Sequence, residues 1–266
     1  LVWRGLNSAE RNSVKIAASV RVTFVGTGDA FNSGGRAHTC FRLDSNGSTL
    51  VVDFGASALS AWRKLGLELC DIDAIALSHL HGDHFGALPF ILLDYQFVSR
   101  CKEGLVIAGP PGTEARLHTA MEALFPKSTE NKWRFKWSVR EMALRESTLL
   151  AGYEIVTTEM LHPSGAPSTA LRISKDGKLF AYSGDTAWND GLFDVAEGAD
   201  LFVVECSSGE SPLPYHLDWP TIKSNLPRLK AKRVAVTHMG ESALARSAEI
   251  RAAGVHVAYD GEVVDI

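Results

Sequence analysis

Four side chains with metal-binding chemistry crowd into six residues: His79, His81, Asp83 and His84, inside Ser78-His79-Leu80-His81-Gly82-Asp83-His84-Phe85-Gly86. Neutral imidazole and carboxylate suit zinc, manganese and iron alike. Four ligands from so short a stretch do not comfortably surround one ion. Two ions sharing the stretch is the natural arrangement, each completed by donors from later in the chain. The stretch follows an apolar run, Ile72-Asp73-Ala74-Ile75-Ala76-Leu77, which reads as a buried strand. A buried strand that ends in ligands presents them at the edge of a sheet.

The later chain supplies the donors. His162 lies in Leu161-His162-Pro163, Asp185 in Tyr182-Ser183-Gly184-Asp185-Thr186, and His238 in Val236-Thr237-His238-Met239. Each sits where an apolar strand stops. A lone histidine at a strand end usually makes one hydrogen bond and nothing more. Seven donors that all sit at strand ends are poorly explained that way.

The elements that must position these donors can be read in outline. Residues 20–25 alternate like a strand and run into Gly26-Thr27-Gly28-Asp29-Ala30, where glycine lets the backbone lie close to a ligand. No third glycine opens a helix at the dinucleotide-binding spacing. Strands over 39–43 and 48–53 are joined by the hairpin signal Asn46-Gly47. Helices are expected over 57–65, 86–100 and 113–125, the last with Thr113 as N-cap, and a strand over 105–108. The second half offers strands over 153–159, 168–174, 178–183, 201–204, 233–237 and 255–258, with helices over 219–229 and 242–253. Each half runs from paired strands into alternating strand and helix. That pattern predicts an α/β fold, a four-layer αββα sandwich. Residues 1–19 are weakly patterned and read as an N-terminal extension, with 20–266 as a single domain.

Composition narrows the function classes. The 266 residues are 45% hydrophobic and 22% charged, with a net charge of −4. This balance exerts no global pull toward nucleic acid or an anionic membrane. No apolar run approaches the roughly 20 residues of a bilayer span. Cys40, Cys70, Cys101 and Cys206 are widely spaced with no CxxC pair. The expectation is no disulfide framework and a reducing cytoplasm.

The spaced set His79-x-His81-x-Asp83-His84, a lone histidine, an aspartate in Ser-Gly-Asp-Thr and a final histidine resembles the metallo-β-lactamase superfamily, over roughly residues 20–266. The resemblance implies the metallo-β-lactamase fold and a dinuclear hydrolytic centre at the edge of the sandwich. Carried over, His79, His81 and His162 bind one divalent ion. Asp83, His84 and His238 bind the second, and Asp185 bridges. Zinc is the expected metal, with manganese or iron as alternatives. True β-lactamases of this class usually place a cysteine where Asp185 stands.

The segments Phe24-Val25-Gly26-Thr27-Gly28-Asp29-Ala30 and Ala108-Gly109-Pro110-Pro111-Gly112-Thr113 resemble the ribonuclease Z branch. That branch implies assisting roles for Glu205 and His216. Its tRNA-processing members carry a long basic, glycine-rich arm between the positions of His162 and Asp185. Only 22 residues lie there in this chain, so tRNA is not the expected substrate. A small phosphodiester is expected instead, attacked by hydroxide generated at the two ions. Asp83 would orient the nucleophile, and His216, held by Glu205, would protonate the leaving oxygen. A lactone or sulfate-ester hydrolase with the same site is the alternative. An RNA-processing endonuclease and a non-catalytic scaffold rank below it.

Other residues carry two readings each. Trp133-Arg134-Phe135-Lys136-Trp137 is a strand with its rings inward, or a stacking surface for a base. His38 faces the site or makes an ordinary hydrogen bond. His118 and His256 read as structural, Cys206 as packing, and Asp53 as support for a ligand or loop. Phe85, Phe90, Tyr95 and Phe97 read as helix core, or as a pocket wall or the face of a homodimer. No membrane partner is expected.

Overall fold

In the computed structural model, which describes residues 19–266, two seven-stranded sheets lie face to face with helices outside. The expected extension over residues 1–19 lies outside the described residues except for Ser19.

The first sheet opens with an antiparallel run, β1 (Arg21–Gly26), β2 (Cys40–Ser45) and β3 (Ser48–Val52). After α1 (Ala58–Lys64) comes β4 (Ala74–Ala76). Then α2 (Gly82–Phe85) and α3 (Leu88–Phe97) lead to β5 (Leu105–Gly109), and α4 (Thr113–Leu124) leads to β6 (Trp137–Glu141). From β3 to β6 the strands run parallel. The second sheet begins with β7 (Ser147–Leu150), β8 (Tyr153–Met160), β9 (Ser168–Lys175) and β10 (Lys178–Tyr182), all antiparallel. It continues in parallel through α5 (Gly191–Ala196), β11 (Leu201–Glu205), α6 (Trp219–Asn225) and β12 (Val234–Thr237). The helices α7 (Glu241–Ala245) and α8 (Ser247–Ala252) precede its last strand, β13 (His256–Val257). Finally β14 (Glu262–Asp265) crosses back and pairs antiparallel with β1.

Strand alternation explains the layers, because successive side chains leave opposite faces of a sheet. Phe24, Leu50 and Val52 point inward to meet Phe180 and Tyr182, while Val25, Val51 and Ala181 point outward under the helices. Phe41 packs edge-on to Tyr182 at 5.1 Å and joins the two sheets. One apolar cluster therefore fills the space between the sheets. A second seats α1, α3 and α4 through Trp62, Ile91 and Leu117, and a third seats α5, α6 and α8 through Leu192, Ile222 and Ile250. These are the four layers of the αββα sandwich. The hairpin at Asn46-Gly47 forms as expected, with both residues at positive φ (48° and 75°).

Several local expectations are corrected. The helix expected over 86–100 spans Leu88–Phe97 as α3, and a separate short helix, α2, precedes it and carries Asp83 and His84. Gly112, at φ 95°, is the N-cap of α4, and the Thr113 hydroxyl instead donates to the Pro110 carbonyl at 2.6 Å. The expected helix over 219–229 leaves α geometry after Asn225, where Pro227 cannot continue it. The helix expected over 242–253 breaks at Arg246. Cys70 and Cys101 form a disulfide, contrary to the cysteine reading. They are 31 residues apart in sequence, but the chain between them folds back and sets their Cα atoms 5.3 Å apart. The cysteine spacing therefore carries no argument for a reducing compartment. Among the described residues no helix is long and apolar enough to cross a membrane.

Candidate metal centre

The donors gather where strands of both sheets end. β4 releases the chain at Leu77, and Ser78 to His84 crosses the mouth of the sandwich. Glycine is required beside this crossing: a Cβ on Gly55 would lie 2.0 Å from the Asp83 carbonyl oxygen. From the other sheet, β8 delivers His162, β10 delivers Asp185, β11 ends at Glu205 and β12 delivers His238.

Two donor groups result. His79, His81 and His162 form one, and Asp83, His84, Asp185 and His238 form the other, each with its donor atoms within 4.8 Å of one another. In the first, His162 Nε2 lies 3.0 Å from His81 Nδ1. In the second, Asp83 Oδ2 lies 3.2 Å from the Nε2 atoms of His84 and His238, and Asp185 Oδ2 lies 3.3 Å from the same two atoms. A tetrahedral ion with bonds of about 2.0–2.1 Å sets its donors roughly 3.3–3.4 Å apart, so this spacing fits one. Asp185 Oδ2 is also 3.8 Å from His79 Nε2, which places it between the groups. The buried atoms His79 Nε2, His84 Nε2 and Asp185 Oδ1 have no hydrogen-bond partner. Orphaned buried polar atoms are costly, and a divalent cation would satisfy all three.

A surrounding layer orients the rings. Asp53, wholly buried, accepts from Ser78 N at 2.7 Å, Ser78 Oγ at 2.7 Å and His84 Nδ1 at 2.7 Å. His79 Nδ1 donates to Ser78 Oγ at 3.1 Å, His162 Nδ1 to the Tyr215 carbonyl at 3.0 Å, and His238 Nδ1 to Ser207 Oγ at 3.1 Å. With each Nδ1 proton engaged, the Nε2 lone pair is left for a metal. Ser207 Oγ in turn donates to Glu205 Oε2 at 2.7 Å, and Glu205 Oε1 accepts from Thr186 N and from His216 Nδ1 at 3.0 Å.

Burial opposes charge on all these groups. It prevails at His79 and His81, whose pKa values fall toward the neutral, metal-binding form. At His84 and His238 burial is outweighed by Asp185 and Asp83: the His84 pKa rises, and that of His238 reaches about 9. Those imidazoles in turn hold the Asp83 and Asp185 carboxyls well below the usual carboxylate range, against the effect of burial. At His216 burial is likewise outweighed, here by the hydrogen bond to Glu205, and its pKa rises. A divalent ion among the same carboxylates would replace the protons on His84 and His238, so its uptake is coupled to proton release.

A cavity of about 450 Å³ opens above the donors, with His81, Asp83, His162, Asp185, His216 and His238 in its lining. No lysine or arginine lines it. All seven residues expected as ligands meet in the two donor groups beneath it, with Glu205 and His216 beside them. The remaining candidates do not reach the cavity lining. His38 Nδ1 accepts from Ser57 N at 3.2 Å, beside the Gly55 turn. His118 packs on Trp137, His256 pairs with Glu262, and Cys206 is buried among apolar side chains. Of the alternating aromatics of residues 133–137 only Trp137 is in a strand, as the first residue of β6. Phe135 is buried, and Trp133 and Trp137 pack against the cluster under the helices, which removes the base-stacking reading. Ser207 and the Tyr215 carbonyl were not anticipated. A serine next to an acidic strand end is a weak signal, and a backbone carbonyl gives none.

Fold and donor set together define a metal-dependent hydrolase of the metallo-β-lactamase superfamily, ribonuclease Z-like in its sequence relatives. Residues 20–258 match the family described as Anti-Pycsar protein Apyc1, and the chain belongs to that family. It is 27% identical to a ribonuclease Z of Halorubrum lacusprofundi, over 92% of this chain and 94% of that one. It is 31% identical to the uncharacterized protein Rv1339 of Mycobacterium tuberculosis, over 73% of this chain and 70% of the relative. Among solved structures, the metallo-β-lactamase fold protein YhfI of Bacillus subtilis superposes with a TM-score of 0.75 at 20% identity, covering 93% of this chain and 100% of its own. The short form of human tRNase Z gives 0.71 at 24% identity, covering 92% and 98%. A diphosphatase of the PhnP family gives 0.73 at 17% identity, covering 92% and 97%.

Proposed function

We propose that the protein hydrolyses a small phosphodiester at a pair of divalent metal ions, zinc by preference, and that residues 20–266 act as one hydrolase domain. In this reading His79, His81 and His162 hold one ion, Asp83, His84 and His238 hold the other, and Asp185 serves both. The observation that carries it is the place of Asp185 Oδ2, 3.3 Å from the Nε2 atoms of His84 and His238 and 3.8 Å from that of His79. When bound, such a pair supplies positive charge to the phosphoryl oxygens and lowers the pKa of a shared water toward neutrality.

The chain's own groups do the rest. His84 and His238 engage Asp83 Oδ2, which leaves Oδ1 to orient the attacking water. Glu205 holds His216 by Nδ1, so Nε2 is the atom that carries a proton to the departing oxygen. Small size is supported by the 450 Å³ cavity, which lies within the range of small-molecule sites. A polyanion such as tRNA is disfavoured because no lysine or arginine lines the cavity, and because β9 and β10 are joined by a tight Asp176-Gly177 turn, which leaves no long arm between His162 and Asp185.

The test is turnover of bis(4-nitrophenyl) phosphate, 4-nitrophenyl sulfate, a lactone and a precursor tRNA by zinc-reconstituted protein, with metal counted per chain. Phosphodiester cleavage at two ions per chain is the expected result. Faster turnover of the sulfate or lactone, or efficient cleavage of the tRNA, would overturn the substrate assignment.

A further inference from the structure

We propose that Phe31, together with Leu213, determines specificity by receiving a planar apolar group, an aryl ring or nucleobase, carried by the phosphoryl group that the donor cluster holds. The proposal rests on the phosphodiester reading above.

The cavity is graded in depth and polarity. At its floor Asp185, His238, Asp83 and His162 are 1%, 2%, 8% and 9% exposed, whereas Leu213 is 46% and Phe31 89% exposed. Phe31 is the most exposed large apolar side chain among the described residues. A single exposed phenylalanine needs no explanation by itself. What sets this one apart is that its backbone is held fast while its ring is left uncovered.

Asp29 Oδ1 accepts from Phe31 N at 3.2 Å and from Ser33 N at 2.8 Å. Asn32, in the left-handed region at φ 56°, donates through Nδ2 to the Arg36 carbonyl at 2.7 Å and to Ser57 Oγ at 2.9 Å. Gly34 N donates to Glu241 Oε1 at 2.9 Å. These bonds tie the loop to α1 and α7. Such a loop presents the ring at low entropic cost to a ligand, which is the condition for preorganised binding. Stacking on an aromatic side chain tolerates any flat π-face, so the class of group is specified but not its identity. Beside Phe31 and Leu213 the lining has no lysine or arginine and carries the carboxylates of Asp29 and Glu241, which favours an uncharged base or aryl group over a second phosphate.

The test compares phenyl phosphate with methyl phosphate, matched in charge, by calorimetric titration of the zinc-loaded full chain. Wild type should bind phenyl phosphate about tenfold more tightly. In Phe31→Ala that preference should fall to within about twofold while the methyl phosphate affinity stays put, and Phe31→Trp should keep the preference. Equal binding of the two phosphates by wild type would overturn the proposal, as would equal weakening of both in Phe31→Ala. Turnover of bis(4-nitrophenyl) phosphate is read separately. Its absence would remove the phosphodiester reading and leave a measured ring preference standing.

Discussion

The two halves of the sandwich repeat one wiring and use it for different chemistry. In each sheet antiparallel pairing gives way to parallel pairing at one strand, β3 in the first and β10 in the second. The match is residue by residue. Thr49 N donates to Asp73 Oδ2 just before β4, as Leu179 N donates to Asp200 Oδ2 just before β11. Asp53 N reaches the Ala76 carbonyl as Ser183 N reaches that of Val203. Ser78 N donates to Asp53 Oδ1 as Glu205 N donates to Ser183 Oγ. By this register Asp53 corresponds to Ser183, Gly55 to Asp185 and Ser78 to Glu205. Where the first half needs a glycine to let Asp83 pass, the second places Asp185, the carboxylate that lies between the two donor groups. The wiring decides where a residue emerges; the side chain there decides whether it supports or coordinates.

The sharpest break in the comparison is Asp185→Asn against Asp53→Asn. Removing the shared carboxylate should lower turnover by at least about 10³-fold and leave the metal count short of wild type by elemental analysis. If Asp185→Asn kept both ions and near-wild-type turnover, the carboxylate would be support, like Asp53. Next in size is the link that only the first half has. Cys70→Ser should cost about 3–4 kcal/mol by loop entropy, read as a lower denaturant midpoint, with turnover at 25 °C retained. A matching loss of turnover would mean that the disulfide shapes the centre.

Asp53→Asn should weaken metal affinity about 10–100-fold, measured by competition with a chelator, without changing the number of ions bound at saturation. The smallest effects fall on the matched pair Asp73 and Asp200. Each Asp→Asn change should cost about 1 kcal/mol at neutral pH, and clearly unequal losses would weaken the proposed correspondence. At Asp200 burial is outweighed by Lys232 and the Leu179 N–H, so the folded pKa lies below the ordinary value. A depressed folded pKa stabilises fully above the unfolded value of about 4, and that contribution fades as pH falls through the folded one. The gap in melting temperature between Asp200→Asn and wild type should therefore narrow on acidification below about pH 4.

Legibility followed chemistry and apolar patterning. The layers came from alternating runs such as residues 20–25 and 48–53, and the donors from imidazoles and carboxylates stationed where such runs end. Edge elements were missed. β14 reads Glu-Val-Val-Asp and β6 Trp-Ser-Val-Arg-Glu, each with too few apolar residues to stand out. The aromatic stretch over 133–137 reads as inward rings or as a stacking surface, because composition cannot tell rings under a helix layer from rings over a cavity. Phe31 drew no notice for the same reason in reverse.

The sequence by itself pointed to the kind of chemistry, since imidazoles and carboxylates of the types and order of His79, His81, Asp83, His84, His162, Asp185 and His238 suit hard and borderline cations. It also determined the sandwich, because period-two burial on two sheets admits few other packings. Only the tertiary structure decided which nitrogen of each imidazole is free. That depends on acceptors far off in the chain, such as Ser207 for His238 and the Tyr215 carbonyl for His162. It alone paired Cys70 with Cys101 and left Phe31 uncovered over the cavity. Pairings of this sort arise when strands and loops distant in sequence are brought to one edge, and no local pattern records them.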